Sequence, residues 1–199
     1  VLVNLGDGDN ALTATGALAN LTAGAGDDVI SVREFIYTAP SEAGVNLGDG
    51  DNSVTTVLDI DSENVTTGSG NDTFNIGRDL GYAASYVATT ITGAGDDSIT
   101  VGRHTYSSLD LGDGNDSYVM TGGNHVSGNI NTGAGNDTID VRAGNITADV
   151  GTGSGDDSVS VSGTMANVSL GDGDNTLSAD SSTSITAGSG DDTVTITNA

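Results

Sequence analysis

Acidic and amide side chains that directly follow two glycines are the residues of this sequence that could do chemistry. The pattern x-Gly-x-Gly-[Asp/Asn]-[Asp/Asn]-x-U, in which U is apolar or aromatic, occurs ten times. Its copies begin at Leu5, Ala23, Leu47, Thr67, Thr92, Leu111, Thr132, Thr152, Leu170 and Ala187. Carboxylate, amide and main-chain carbonyl oxygens are ligands for hard cations. Ten copies of one such group predict a series of cation sites and not a single active site.

The acidic residues of the chain are concentrated in these turns. The 199 residues include 28 acids and 4 arginines, for a formal net charge of −24, and 18 of the 28 acids lie within the ten copies. Carboxylates stacked a few Å apart repel one another unless they are protonated or neutralised. Calcium tolerates irregular oxygen coordination better than magnesium does, so Ca²⁺ is the expected cofactor. The two histidines, His104 and His125, lie outside the turns, which argues against zinc or copper.

The net charge also limits the partners. A strongly negative surface repels nucleic acid and anionic membranes, and no apolar run approaches the roughly 18 residues of a membrane-spanning helix. Ten stacked turns enclose nine gaps, and about nine Ca²⁺ ions would bring the charge from −24 to about −6 (−24 + 18). Adaptation to high salt is the alternative explanation for the acidity, but it would scatter the acids along the chain.

Short strands are expected on both sides of each turn. Period-2 alternation after the turns predicts strands with one buried face. The expected inward pairs are Ile30 with Val32, Phe74 with Ile76, Ile99 with Val101, Ile139 with Val141, and Val159 with Val161. An apolar residue also precedes the first glycine by three positions in every copy except the one at Thr92, where Ile91 stands two positions before it. One unit is therefore turn, strand, loose turn and strand.

Neither strand of a unit can bury its apolar face alone, so successive units must stack. The prediction is an all-β, right-handed parallel β-solenoid (β-roll or β-helix) of about ten coils of ~20 residues, with one GxG[DN][DN] turn per coil. Residues 1–199 form a single repeat array, interpreted as a piece of a longer protein. Three longer steps place inserted loops around Glu34–Gly44, Leu58–Asn64 and Arg78–Thr89.

The turn resembles the nonapeptide repeat GGxGxDxUx of RTX proteins, whose parallel β-roll binds calcium between adjacent turns. The resemblance implies side-chain ligands at the sixth place, in Asp28, Asp72, Asp97, Asp116, Asp137, Asp157 and Asp192. It also implies main-chain carbonyl ligands around Gly24, Gly26, Gly68, Gly70, Gly93, Gly95, Gly133, Gly135, Gly153 and Gly155. Leu, Thr or Ala replaces the first glycine of the nonapeptide in every copy. With one such turn per ~20 residues, the chain is more similar to the calcium-bound solenoids of large bacterial adhesins than to a toxin β-roll.

Three copies of the turn have a different ligand set. They place Asn at the sixth place, in Asn10, Asn52 and Asn175, and Asp at the fifth, in Asp9, Asp51 and Asp174. Asp also stands between the two glycines in these copies and in the one at Leu111, as Asp7, Asp49, Asp172 and Asp113. Leu always precedes the first glycine in these four. This coupling predicts a second turn type, whose carboxylate reaches the ion from another direction.

The resulting prediction is a calcium-binding structural segment of a secreted or cell-surface microbial protein, such as an adhesin stalk, a surface-layer or matrix protein, or a filament component. The alternative is an RTX secretion or folding module attached to an enzyme or toxin. Outward Ser and Thr residues such as Ser98 and Thr100 raise a third possibility, an ice-binding face, but they also reflect ordinary strand propensity. No nucleophile motif is present, so the chain is not expected to be an enzyme.

The remaining expectations concern partners. Calcium is the expected ligand, without nucleic acid or membrane insertion, and the array is expected either to continue or to associate head to tail with another copy. Arg33, Arg78, Arg103 and Arg142 each follow a first strand, and each is expected to form a solvated salt bridge with a neighbouring acid.

Overall fold

Short strands make up the regular secondary structure of the chain. The computed structural model describes residues 2–36, 44–61, 64–81, 88–123 and 125–198. The strands are β1 (Leu2–Asn4), β2 (Ala11–Leu18), β3 (Asn20–Thr22), β4 (Val29–Phe35), β5 (Gly44–Asn46), β6 (Ser53–Thr56), β7 (Asn64–Thr66), β8 (Thr73–Ile76), β9 (Thr89–Ile91), β10 (Ser98–Val101), β11 (His104–Thr105), β12 (Ser108–Asp110), β13 (Ser117–Met120), β14 (His125–Val126), β15 (Ile130–Asn131), β16 (Thr138–Val141), β17 (Asn145–Ile146), β18 (Val150–Gly151), β19 (Ser158–Gly171), β20 (Thr176–Ala187) and β21 (Thr193–Ile196). Among the described residues there is no helix long and apolar enough to cross a membrane.

Two parallel ladders of strands flank the turns. The turn-exit ladder stacks the strands that follow the turns, in the order β2, β4, β6, β8, β10, β13, β16, β19, β20 and β21. The turn-entry ladder stacks the strands that precede them, in the order β1, β3, β5, β7, β9, β12, β15 and β18, then the last part of β19 and of β20. The predicted parallel β-solenoid is confirmed, with ten turns bounding about nine full coils.

A third, shorter ladder lies within the stretch predicted to be a loose turn. Its registered residues are Leu18, Phe35, Ile60, Leu80, Thr105, Val126, Ile146, Met165 and Ser182. Ile60 and Leu80 are buried although they lie in segments predicted to be inserted loops. Ile60 and Leu80 are therefore part of the solenoid, and the rest of the predicted loops, at residues 37–43, 62–63 and 82–87, lies outside the described residues. The sequence pattern missed this ladder because one inward residue per coil shows no alternation.

The core is a stack of side chains in register. All five predicted inward pairs of the turn-exit strands are buried. Tyr118 fills one position of this stack, and its hydroxyl lies 2.7 Å from the Thr105 hydroxyl, which satisfies both buried groups. In the irregular copy Thr90 takes the inward position, paired with Leu109, and Ile91 is 39% exposed. The copy at Thr92 therefore keeps the register of the solenoid and differs from the other copies only in having threonine at the inward position.

The four arginines lie on the outside and each has an acidic partner, as predicted. Arg103 makes the best-formed pair, with two hydrogen bonds of 2.8 and 3.1 Å to Asp79 on the preceding coil. Arg142 pairs with Asp140 at 2.8 Å, Arg78 with Asp59 at 3.7 Å, and Arg33 with Glu34 at 3.5 Å. Because the arginine side chains are 41–59% exposed, each pair contributes little, about 0–1 kcal/mol.

Candidate cation-binding turns

Glycine is required in the turns because neighbouring turns lie in direct contact. Gly133 has a φ of +100°, and a Cβ there would overlap the carbonyl oxygen of Gly112 in the turn below. Gly135 has a φ of +139°, and its Cβ would overlap the carbonyl oxygen of Gly114. Only glycine combines this backbone conformation with so close an approach. The two glycines per turn therefore let the ten turns stack into one edge of the solenoid.

The sixth-place side chains of successive turns form a continuous inner ladder. Each Oδ1 accepts a hydrogen bond of 2.8–3.2 Å from the backbone N–H of the sixth-place residue in the preceding coil. The members are Asn10, Asp28, Asn52, Asp72, Asp97, Asp116, Asp137, Asp157, Asn175 and Asp192. The eight interior members are no more than 2% exposed, whereas Asn10 and Asp192, in the first and last turns, are partly exposed. Aspartate and asparagine serve equally as acceptors.

The second carboxylate oxygen of six buried aspartates has no donor within hydrogen-bond distance, although in three of them the hydroxyl of a first-place threonine (Thr67, Thr92 or Thr152) interacts with the carboxyl group and opposes the rise that burial causes in its pKa. Oδ2 of Asp28, Asp72, Asp97, Asp116, Asp137 and Asp157 is buried without a hydrogen bond from any described residue. The carbonyl oxygens of the second glycines in these turns, such as Gly70 and Gly135, likewise accept no hydrogen bond from the described residues. A buried charged oxygen without a partner costs about 1–3 kcal/mol or more. Each of these six turns therefore leaves one buried carboxylate oxygen and one glycine carbonyl oxygen that could contact a positively charged group.

Burial raises the pKa of four of these carboxyl groups. The pKa of Asp97 is raised to about 6 and that of Asp116 to about 7. Desolvation is the largest cause in both, and the carboxylates of neighbouring rungs add to it. Desolvation also raises the pKa of Asp72 and of Asp157. Without a cation the turns are thus strained electrostatically, since ionisation of these groups is opposed by burial and by their neighbours.

The fifth-place side chains form a second, outer ladder, whose hydrogen bonds run along the stack in the opposite direction to those of the inner ladder. Here each Oδ1 accepts a hydrogen bond of 2.7–3.0 Å from the N–H of the fifth-place residue in the following coil. Its members are Asp9, Asp27, Asp51, Asn71, Asp96, Asn115, Asn136, Asp156, Asp174 and Asp191. These residues are exposed, so their free oxygens face solvent. The invariant Asp/Asn pair of the motif therefore satisfies two backbone N–H groups per turn.

In the asparagine turns the side-chain amide donates a hydrogen bond within its own turn. Asn52 Nδ2 donates to the carbonyl oxygen of Gly50 at 2.9 Å and more weakly to that of Gly48 at 3.4 Å. Asn10 and Asn175 likewise donate to the second glycine of their own turn, at 2.6 and 3.1 Å. In these turns the oxygen that is free in the aspartate turns has a donor from the protein itself.

The aspartates between the glycines also differ between the two turn types. In the asparagine turns the Oδ1 atoms of Asp7, Asp49 and Asp172 accept hydrogen bonds of 2.9–3.2 Å from backbone N–H groups of the next coil. Backbone and side-chain donors of Ser69 lower the pKa of Asp49, and those of Ser189 lower that of Asp172. Asp113 makes no such bond, and Ala134 N–H of the next coil donates instead to the Gly112 carbonyl, as in the ordinary turns. A distinct hydrogen-bond pattern is therefore present in three of the four Leu-Gly-Asp-Gly copies, and the predicted ion contact of these aspartates stays a prediction.

The first place of the motif faces the core, which explains why glycine is absent there. Thr92, Thr132 and Thr152 are buried, and so are Leu47, Leu111 and Leu170, whereas Leu5 in the first turn is partly buried. Each of these threonines, together with Thr67, donates its hydroxyl to the first-place carbonyl of the next turn at 2.6–3.1 Å. Sequence comparison identified this position only as a departure from the nonapeptide, although the restriction to Leu, Thr and Ala was the signal of a buried site.

The predicted ligands are thus divided by the structure. The sixth-place residues gather in the inner ladder, whereas Asp9, Asp51 and Asp174 lie on the exposed outer ladder. First-glycine carbonyls, including those of Gly68, Gly93, Gly133 and Gly153, accept N–H groups of the next coil, and the second-glycine carbonyls of the aspartate turns stay free. The described residues contain no cluster of three or more His, Asp or Glu side chains that could hold a metal ion. A cation here would need one buried carboxylate per turn and main-chain oxygens, a donor set of hard oxygens that fits calcium.

No protein-family model, curated protein or solved structure matches this chain. The likeness to RTX repeats therefore rests on the turn motif and on the parallel solenoid it forms.

Proposed function

We propose that this chain is a calcium-binding structural repeat segment of a secreted or cell-surface microbial protein, folded and stiffened by Ca²⁺ held in its stacked turns. The single observation that supports this most directly is the column of six buried Oδ2 atoms without a partner. One such atom could be a local irregularity. Six in equivalent positions of one ladder favour a common positive group, since the sequence has no lysine and the four arginines pair with other acids.

Calcium is the proposed ion because every available ligand is a hard oxygen. Oδ2 and the second-glycine carbonyl of each aspartate turn would hold it, and the ion would supply the charge that offsets buried carboxylates. Sites with few carboxylates and flexible main-chain ligands are typical of modules that work at the high calcium concentrations outside cells. The weak calcium affinity expected of such sites supports an extracellular or surface location.

A structural role is proposed in preference to catalysis because the sites are repeated and equivalent. Each coil contacts mainly its neighbours, so the repeated aspartate turns would distribute the ions along the array and would not concentrate reactive groups at one point. Calcium would in this way act as a switch for folding, giving an extended stiff segment where calcium is abundant. The parent protein would be an adhesin stalk, a surface-layer or matrix protein, or a filament.

Circular dichroism of the chain in chelator and in millimolar calcium tests the proposal. We expect β-rich spectra with calcium and a largely disordered chain in chelator, because apposed carboxylates destabilise an array that has few contacts beyond adjacent coils. Magnesium at the same concentration is the control and should restore less structure. Identical spectra with calcium and with chelator would refute calcium-dependent folding.

A further inference from the structure

The inner ladder contains two kinds of rung that differ in a single atom. Asn52 and Asp72 both accept a backbone N–H through Oδ1, at 3.1 and 3.0 Å, so both side chains are held in the same orientation. The second atom of the side chain therefore takes an equivalent place in each. In Asp72 this atom is a buried oxygen without a partner, and in Asn52 it is a nitrogen that donates to a glycine carbonyl.

The amide assignment in the asparagine rungs is fixed by its surroundings. Asp28 N–H and Asp157 N–H donate to Oδ1 of Asn52 and of Asn175, so the other atom must be nitrogen. Nδ2 of Asn175 then reaches two acceptors, the Gly173 carbonyl at 3.1 Å and Asp192 Oδ1 at 2.9 Å. Nδ2 of Asn10 is likewise surrounded by acceptors, in Gly8 and Asp28. Both amide hydrogens are therefore used within the protein.

A cation and an amide NH₂ group cannot share this place. The amide presents two partially positive hydrogens to the oxygens that a cation would need, and its nitrogen is not a metal ligand. We infer that Asn10, Asn52 and Asn175 are built-in cation-free rungs, in which the side-chain amide replaces the ion, so that calcium binds only at the aspartate turns. This inference rests on the proposed calcium function and specifies which turns carry it out.

The turn at Leu111 shows which residue determines whether a turn needs a cation. Like the asparagine turns it has Leu at the first place and Asp between the two glycines, but it has Asp116 at the sixth place. Asp116 Oδ2 is unpartnered, and Ala134 N–H donates to the Gly112 carbonyl, as in the ordinary turns. The sixth-place residue, and not the Leu-Gly-Asp-Gly stretch, therefore decides whether a turn needs a cation. The distribution is uneven, because five consecutive aspartate rungs, from Asp72 to Asp157, lie between Asn52 and Asn175.

Metal content of the full chain, measured by mass spectrometry after equilibrium dialysis against millimolar calcium, tests the inference. The parent should hold about six ions, one for each unpartnered buried Oδ2, and Asn52→Asp should add one. Asn71→Asp is the matched control, because it makes the same chemical change in the next turn but on the exposed outer ladder, and it should add none. Asp137→Asn should remove one ion, and its coil should keep more amide-exchange protection in chelator than the parent does.

The outcomes separate the inference from the proposed function. A parent that binds no calcium would refute the proposed function. Calcium binding with about nine ions, or an ion count that Asn52→Asp and Asp137→Asn leave unchanged, would overturn the inference while leaving the proposed function intact. Should Asn52→Asp fail to fold, Asp137→Asn still decides, since loss of one ion with a folded coil is expected only if the amide substitutes for the cation.

Discussion

A buried sixth-place aspartate has two separable tasks in its turn. Through Oδ1 it accepts the N–H of the coil before it, and through Oδ2 it provides the charge proposed to hold an ion. Asparagine performs the first task without the second. Alanine performs neither, so comparing the two substitutions at one position separates the hydrogen bond from the metal site.

Substitution at Asp137 should have a large effect on folding. Asp137→Ala leaves the Asp116 N–H without its acceptor and removes one ion ligand, so we expect a loss of about 1–3 kcal/mol and a higher calcium midpoint for folding. Asp180→Ala is the control, because Asp180 lies outside the turns and accepts only the exposed Thr197 hydroxyl through its side chain. Calcium titrations followed by circular dichroism would show the difference, and equal midpoints for both variants would contradict the ligand assignment.

The raised pKa values predict that acid stabilises the calcium-free chain. A carboxyl group whose pKa is higher in the folded state contributes stability that is fully present below its unfolded pKa and is lost as the pH rises through its folded pKa. With the pKa of Asp97 at about 6 and that of Asp116 at about 7, the loss should fall between about pH 4 and 7. Circular dichroism of calcium-depleted protein should show more β structure at about pH 5 than at about pH 8. A β content that rises with pH over this range would contradict the assignment of these carboxyl groups as destabilised by ionisation.

At the scale of the element, the glycine turn fixes how closely two coils can stack. The turn-exit and turn-entry strands are joined at each turn, so displacement of a turn disturbs both ladders. The third ladder has no turn motif of its own and depends on the register that the other two impose.

Gly133→Ala should therefore destabilise the array strongly. The left-handed φ of +100° costs a residue with a Cβ about 1–3 kcal/mol, and overlap with the Gly112 carbonyl adds to it. Gly16→Ala is the matched control, because Gly16 lies in a strand with nothing within 4 Å of its Cβ position. We expect a lower Tm only for Gly133→Ala in saturating calcium, and an unchanged Tm for that variant would show that the turns do not stack as described.

At the scale of the whole molecule, stability is carried from coil to coil. Strands pair with the strands of the adjacent coils, as β13 does with β10 and β16. An array of this kind behaves as a sum of coil and interface terms, and damage spreads outward from its origin. The chain has no disulfide to oppose that spread.

Hydrogen exchange should reveal this locality. In Gly133→Ala, amide protection should fall first in β13, β16 and β19, while β2 and β4 keep parent-like protection, because the latter are several coils away. Mass spectrometry of peptic fragments at fixed calcium concentration provides the measurement, with Gly16→Ala as the control that should leave protection unchanged. A uniform loss of protection along the whole chain would indicate one cooperative unit and not an array.

The sequence by itself determined the repeating features of this protein. Turn positions, the two flanking strands and the inward residues such as Phe74 and Ile76 follow from local patterns of spacing and alternation, and the structure confirms them. The concentration of acids in the turns also pointed to the edge that carries the candidate site. Each of these signals lies within one coil, where neighbours in sequence are neighbours in space.

Only the tertiary structure decided which polar groups meet. The bonds of the inner and outer ladders join residues 17 to 25 positions apart, so they depend on how coils stack and not on any local pattern. Stacking placed Asp72 inside and Asp51 outside although both are turn aspartates, and it showed that the Asn52 amide fills the place where Asp72 leaves an oxygen bare. The middle ladder, in which Ile60 and Leu80 are buried, likewise forms only when neighbouring coils supply the strand partners. It could not be predicted from the sequence, because a single inward residue per coil has no periodicity to detect.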